Sequence, residues 1–457
     1  MSRVHYLTAA AVLHLALAAT IFLIGHFALF PEMVSPSGII ADDAYVYRRE
    51  AITLVETLTE QGIGAWLAAP FQFHVKLYSL SFAIFGPLLG FNNLSAEPLN
   101  IVYYLAILYL VFKLGQEVFN RRTGILAAAV VALWPSFSLL TTQLLRDPLF
   151  IIAMLAMVLA SVRLLSNTYS WRSGLATGAM GAAAGFLLWI VRKAMWEAVL
   201  AIVLLGICLL LARLVREKRV LIGNLAGIAL LLGMVIGAPY IAPTPRKAAP
   251  TQQPQAQERA AIENQPLSPL DEHTASPATT EAEQAKPALS PLAARIRLLR
   301  HRFNKAYENR ASSSNIDIDV EFASIVDVGL YLPRAAVIGF FAPFPNMWFA
   351  PVDGAGRVRR MLAALETLSM YLIEVLMIFG LWSGRRHLPV WLLFLTAAIG
   401  VVALGMVVAN IGTLYRMRYA FWILLIIIGM EGAQVFPRYL GRWRKTSATS
   451  SGDVSYP

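Results

Sequence analysis

Apolar runs long enough to cross a lipid bilayer recur along most of the chain, separated by short clusters of arginine and lysine. Tyr6 to Phe30 is apolar apart from a few positions such as His14 and His26, and about 20 such residues span about 30 Å of hydrocarbon. The run exceeds a signal-peptide core and shows no small-residue cleavage site, so a retained first span is expected. Further spans read at about 98–118, 123–142, 147–166, 174–192, 196–214, 220–242, 362–383, 388–410 and 419–437. The expected fold class is an all-α polytopic membrane bundle of about ten spans.

The basic clusters between the runs predict orientation. Arg121-Arg122, Arg163 with Arg172, and Arg213 through Arg219 fall on alternate connections, which places them together in the cytoplasm. The same count puts the loop before the second helix, the Arg146-Asp147 turn, Arg192-Lys193 and the loop after 242 outside. Phe71 to Gly90 is apolar but carries His74 and Lys76 and meets Pro87. Counted as a span it would invert the following loops, so an interfacial helix is expected within an external loop of 31–97. Val328 to Pro351 holds Pro333, Arg334, Pro343 and Pro345. It reads as an interfacial or re-entrant piece, which leaves Arg385-Arg386 and a basic tail at 438–457 cytoplasmic and Arg416 and Arg418 outside.

Composition sharpens this division. The chain is 58% hydrophobic and 14% charged, with a net charge of +11 and one cysteine. Its basic residues flank spans, so the charge points to membrane topology and away from nucleic acid. Cys208 alone excludes an internal disulfide and a cysteine metal cage. An N-terminal module of 1–242 is followed by residues 243–290, rich in Pro, Ala, Gln, Glu, Thr and Ser, an expected disordered linker. In the segment 291–361, Leu292, Ile296, Leu299, Phe303 and Tyr307 recur at helical spacing among basic residues. That pattern predicts a basic amphipathic helix resting on the outer face. The C-terminal spans occupy 362–437.

The candidate chemistry lies on the external side of this scheme. Asp42-Asp43-Ala44-Tyr45 opens an amphipathic helix whose Ala44, Tyr47, Ala51, Leu54, Val55 and Leu58 share one face. One of the two aspartates is expected to cap that helix, a role worth about 1 kcal/mol. A carboxylate held there can also act as a general base toward a sugar hydroxyl. Asp147, between Arg146 and Pro148, has the same two readings, N-cap or functional acid. Arg416 and Arg418 follow a glycine-containing turn and, with Arg192 and Lys193, suit an anion such as phosphate, or else snorkel to the interface. Glu366, Glu374 and Glu431 lie within or near spans without an evident partner and carry a weak signal. The histidines lack metal-ligand spacing.

In order and sidedness, the first span, the external Asp-Asp-Ala-Tyr, the interfacial segment ending Ala83-Ile84-Phe85-Gly86, the basic inside turn and Leu145-Arg146-Asp147 resemble the GT-C glycosyltransferases. More narrowly, they resemble bacterial relatives of the protein mannosyltransferases and aminoarabinose transferases. The resemblance covers about residues 1–215 and the arginines near 416. It implies an enzyme of a bacterial inner membrane that moves a sugar from a polyprenyl-phosphate carrier to an extracytoplasmic lipid, polysaccharide or protein acceptor, with inversion. Asp42 would then be the catalytic base, Asp43 its acidic neighbour and Asp147 the second acidic position. Arg416 and Arg418 would hold the carrier phosphate; beyond the resemblance, the shared external face would bring Arg192 and Lys193 to it as well, with Arg146 and Tyr45 in support. The linker departs from the family's compact external domains. Paired carboxylates suit Mg²⁺ or Mn²⁺, but a monophosphate leaving group between arginines needs no cation, so no essential metal is expected. The alternatives are a polymerase, ligase or oligosaccharyltransferase using a diphosphate donor, and a lipid-linked sugar flippase or transporter.

Overall fold

The computed structural model describes residues 3–242, 291–305, 315–349 and 355–450. Among them the architecture is all-α, with one isolated bridge between Asn315 and Asn410. Nine of the described helices are long and apolar enough to cross a membrane, and the protein is an integral membrane protein. The helices are α1 (Arg3–His26), α2 (Asp42–Ala68), α3 (Phe73–Leu89), α4 (Asn93–Val118), α5 (Arg121–Ala132), α6 (Pro135–Thr141), α7 (Asp147–Ser166), α8 (Trp171–Val191), α9 (Trp196–Glu217) and α10 (Ile222–Ile241). After the linker come α11 (Pro291–Lys305), α12 (Ile325–Phe341), α13 (Pro345–Trp348), α14 (Ala355–Gly384), α15 (Leu388–Val407), α16 (Ile411–Met417) and α17 (Tyr419–Ser450). The expected linker at 243–290 and Tyr307 lie outside the described residues.

The span expected at 123–142 is not one straight helix: α5 and α6 meet at 70°. Pro135 supplies no N–H to continue α5 and disfavours helix at the residue before it. A carboxylate then holds the break. Glu366 of α14 accepts from the Ser136 backbone N–H at 2.6 Å and from the Ser136 hydroxyl, while the Tyr415 hydroxyl also donates to it. Tyr419 bonds to Ser136 in turn. The intramembrane glutamate thus satisfies a helix start that would otherwise leave its backbone donors bare.

Several helix pairs approach through glycine, among them α8 with α10 and α14 with α17. A Cβ on Gly178 of α8 would lie 2.3 Å from the carbonyl oxygen of Gly227 in α10, and one on Gly432 of α17 would lie 1.8 Å from that of Leu376 in α14. Small residues let backbones touch where lipid offers no hydrophobic drive between helices. Helices α7 and α17 form the centre of the bundle, with Phe150, Met154, Phe421 and Trp422 fully or almost fully buried.

Polar contacts sort the connections into two ends. At one, Arg213 donates to the carbonyls of Leu165 (2.9 Å) and Asn167 (2.8 Å), Asn120 donates to Glu431 (3.0 Å), and Arg216 reaches the carbonyl of Arg386 (3.4 Å). These are the connections whose positive charge predicts a shared side. The starts of α2, α3 and α7, the α8–α9 turn and α16 gather at the other end.

Helix α2 buries Ala44, Tyr47, Ala51, Leu54 and Val55, the predicted face. Its N-cap position is held by Ala41, with no side-chain cap bond, and the helix begins at Asp42. Likewise Arg146, not Asp147, occupies the N-cap position of α7, again without a side-chain cap bond. The N-cap positions expected to be acidic are thus held by Ala41 and Arg146. The apolar face of α11 (Ala293, Ile296 and Leu299) packs on protein, while Leu292 is 53% and Leu298 41% exposed. The amphipathic pattern read from the sequence is thus met by packing against protein.

Candidate active site

Three segments remote in sequence are tied together by a buried amide. Gly38, at φ +75°, turns the chain between α1 and α2 in a backbone region that a side chain would strain. The Gln143 carboxamide spans this turn: Ile40 N–H donates to its Oε1 at 2.8 Å, and its Nε2 donates to the Gly38 carbonyl at 3.3 Å. Gln143 is 1% exposed and lies four residues before Asp147. The Tyr78 hydroxyl sits 2.9 Å from Asn100 Oδ1 and 3.2 Å from the Leu145 carbonyl, fixing the same loop from α3. The start of α2 and the start of α7 are thereby held in register. Neither Gln143 nor Tyr78 stands out in sequence, because each acts on backbone atoms far along the chain.

At this junction lies a chain of ion pairs. Arg192 Nη2 donates to Asp147 Oδ1 at 2.6 Å. Arg416 Nε stands 3.3 Å from Asp147 Oδ2, and Arg416 Nη2 donates to Asp43 Oδ2 at 2.5 Å. The 3.3 Å contact is an ion pair without hydrogen-bond alignment. The side chain of Asp147 is 7% exposed and that of Asp43 45%, so one carboxylate belongs to the interior and the other meets solvent. Arg192 also lies 5.2 Å over the Phe150 ring, and burial draws its pKa down to about 10 against the opposing pull of Asp147.

His74 is packed under this cluster, edge-on to Tyr47 with ring centroids 4.5 Å apart. It is 1% exposed, and burial, reinforced by the positive charge of Arg146, pushes its pKa down to about 3. It is therefore a neutral imidazole at ordinary pH. Burial likewise raises the pKa of the Tyr47 phenol.

Beside the ion pairs opens a cavity of about 520 Å³. Lys76, Arg146, Arg192 and Lys193 line it, with Phe71, Ile190, Phe303 and Met417 among its apolar lining, and no carboxylate contributes. Two nitrogens of Arg192, Nε and Nη1, are buried without a protein partner. Lys193 stands 5.2 Å over the Trp189 ring, and Lys76 donates to the Leu67 carbonyl at 2.7 Å. A cationic wall facing apolar side chains suits an amphiphilic anion.

The structure brings together Asp43, Asp147, Arg192 and Arg416, with Arg146 and Lys193 on the adjoining cavity. Asp42 is the first residue of α2, but its side chain lies outside the described residues. Two of the expected residues stand apart. Arg418 is fully buried, donates to the Gly339 carbonyl at 3.0 Å, and lies 3.5 Å over the Trp422 ring. Residues 411–417 are helical rather than an open turn, so positions two apart point to different sides and only Arg416 reaches the acids. Tyr45 is 45% exposed, with its hydroxyl 3.4 Å from the Ile39 carbonyl. Lys76 is the cavity residue that the sequence reading passed over, though a lysine inside an apolar segment was its available signal. Among the described residues no cluster of three or more His, Cys, Asp or Glu side chains is placed to hold a metal ion. No protein-family model matches the chain and no curated protein matches its sequence, so a functional reading rests on this geometry and on the resemblance of its motifs.

Proposed function

We propose that the protein is an inverting membrane glycosyltransferase of the GT-C type. Its donor is a sugar on a polyprenyl-phosphate carrier, and its acceptor is a hydroxyl at the extracytoplasmic face of a bacterial inner membrane. The observation that carries this reading is the cavity: four cations and several apolar side chains line it, near an aspartate at the start of α2 that meets solvent.

The acceptor oxygen attacks the anomeric carbon as the bond from that carbon to the phosphate oxygen breaks. The acceptor proton passes to a carboxylate, and the carrier leaves as polyprenyl phosphate. Asp42 is the base, as the resemblance of the Asp-Asp-Ala-Tyr motif implies, while its neighbour Asp43 is engaged by Arg416. A positioned base of this kind contributes about 10²–10⁴ in rate. Lys76, Arg146, Arg192 and Lys193 receive the charge that develops on the leaving phosphate. Arg416, flanked by two carboxylates, orients Asp43 and Asp147 instead of serving the phosphate directly.

The test is transfer by the purified protein from polyprenyl-phosphate monosaccharides, wild type against Asp42→Asn. Transfer that falls at least 100-fold while donor binding is kept supports the reading. Unchanged transfer would return the base to Asp43. Absence of transfer from every monophosphate donor would overturn the proposal in favour of a diphosphate donor. The broken span α5–α6 favours a second reading, since transporters use discontinuous helices. Translocation of a lipid-linked sugar by liposomes holding the Asp42→Asn protein would support transport.

A further inference from the structure

Helix α11 follows the linker, and sequence alone sets it on the membrane surface. In the structure it crosses between the start of α9 and the end of α15. Arg295 pairs with Glu197 of α9 at 2.6 Å. One turn on, Arg300 is 3% exposed and serves three carbonyls: Val320 at 3.0 Å, Met406 at 2.7 Å, and Asp317. Its guanidinium lies 5.6 Å from the centroid of Phe322 and 5.3 Å from that of Tyr331. A planar fork with five donors can bond three divergent carbonyls while its faces meet rings, and an ammonium cannot. The Asp317 carbonyl belongs to a residue at φ +49°, held by a two-point pair with Arg334 at 2.9 and 3.2 Å.

Three residues beyond Arg300, on the same side of the helix, Phe303 reaches the cavity. There it joins Phe71, Ile190 and Ala242 in a lining that also holds the cationic residues. The end of α8 and the end of α10 meet at this point, with Trp189 Nε1 donating to the Ala242 carbonyl at 2.9 Å. An anionic lipid seated with its phosphate on the cations would place its first carbon units against these side chains.

We infer that α11 is a wall of the cavity, in which Phe303 is a specificity-determining residue for the first apolar units of a lipid phosphate. Arg300 is the positioning residue that holds Phe303 there. The inference rests on reading the cavity as a lipid-phosphate site, and it assigns a function to a segment that lies beyond the motifs carrying the family resemblance.

Binding of undecaprenyl phosphate and of inorganic phosphate to the purified full chain in detergent tests it. Phe303→Ala weakens undecaprenyl phosphate about tenfold and leaves inorganic phosphate unchanged, and Phe303→Leu restores most of the affinity. Arg300→Lys weakens the lipid as Phe303→Ala does. Cysteines in place of Arg295 and Glu197, in a Cys208→Ala background, report the docking of α11 by closure with a short bismaleimide. Closure persists in Phe303→Ala and is lost in Arg300→Lys. Undiminished lipid affinity in a Phe303→Ala protein that still cross-links overturns the role of Phe303, as does an equal loss for inorganic phosphate. Unaltered closure in Arg300→Lys overturns the role of Arg300. A wild type that binds no undecaprenyl phosphate overturns the whole inference. Lipid binding through Phe303 without any sugar transfer supports it and sinks only the transferase reading.

Discussion

Lowering the pH from about 7.5 to about 4.5 sets the burial of His74 against the ordinary basicity of imidazole. In the unfolded chain this histidine takes a proton near pH 6.5. In the folded protein it stays neutral down to about pH 3, because burial and the Arg146 charge disfavour the cation. A folded-state pKa below the unfolded one means that the unfolded state binds the extra proton. The contribution is therefore intact above about pH 6.5 and declines as the pH falls toward the folded value. At pH 4.5 the loss is about 1.36 × 2, or roughly 2.7 kcal/mol, since the folded group is still neutral there. The groups acting on His74 are Tyr47 edge-on to it and the charges of Arg146, Arg192, Asp147 and Asp43. All remain in His74→Gln, which keeps a polar side chain without the titration. Unfolding of the two proteins in mixed micelles, followed across that pH range, gives a difference curve in which their shared titrations cancel. Wild type should lose about 2–3 kcal/mol more than His74→Gln by pH 4.5. Parallel curves would refute the burial of the imidazole and the electrostatic reading of the floor of the site.

Two further outcomes follow from the ion pairs and from the amide that registers them. Asp147→Asn strands Arg192, which is 4% exposed, and should cost about 3–5 kcal/mol in the same unfolding assay. Adding Arg192→Gln should recover a substantial part of that cost, and a double variant as unstable as the sum of the singles would show that the two residues do not interact. Gln143→Leu leaves the Ile40 N–H and Gly38 carbonyl unpaired while removing no group from the cavity. Turnover should drop roughly 10- to 100-fold through misplacement of the α2 start. Affinity for undecaprenyl phosphate should hold, and an equal loss in affinity would deny Gln143 its separate positioning role.

The legibility of this molecule in its sequence divides by range. Nine of the ten expected spans correspond to single apolar helices among the described residues, because about 20 contiguous apolar residues carry the signal locally, and the tenth corresponds to the bent pair α5–α6. The single departure in shape, the 70° break before Pro135, had its proline in plain view, but the carboxylate that holds it comes from Glu366. The amphipathic face of α2 was equally readable, since spacing of 3.6 residues is a local property. Arg416 and Arg418 were paired by proximity in sequence, and helix geometry in 411–417 sends one to Asp43 and the other to Trp422. Lys76 and Phe303 reach the cavity, and Gln143 the turn before α2, through contacts that composition does not register.

What the sequence determined by itself was the partition between lipid and water: which segments cross, which connections share an end, and where acidic and basic residues interrupt apolar surroundings. That follows from transfer energies summed over neighbouring residues. The tertiary structure alone decided which of those charges meet. It set Arg416 between Asp43 and Asp147, paired Arg192 with Asp147 while placing Lys76, Arg146 and Lys193 on the cavity beside it, and packed the apolar face of α11 against protein. Such outcomes depend on desolvated pairings between residues far apart in the chain, whose strength is set by distance and burial in the packed bundle.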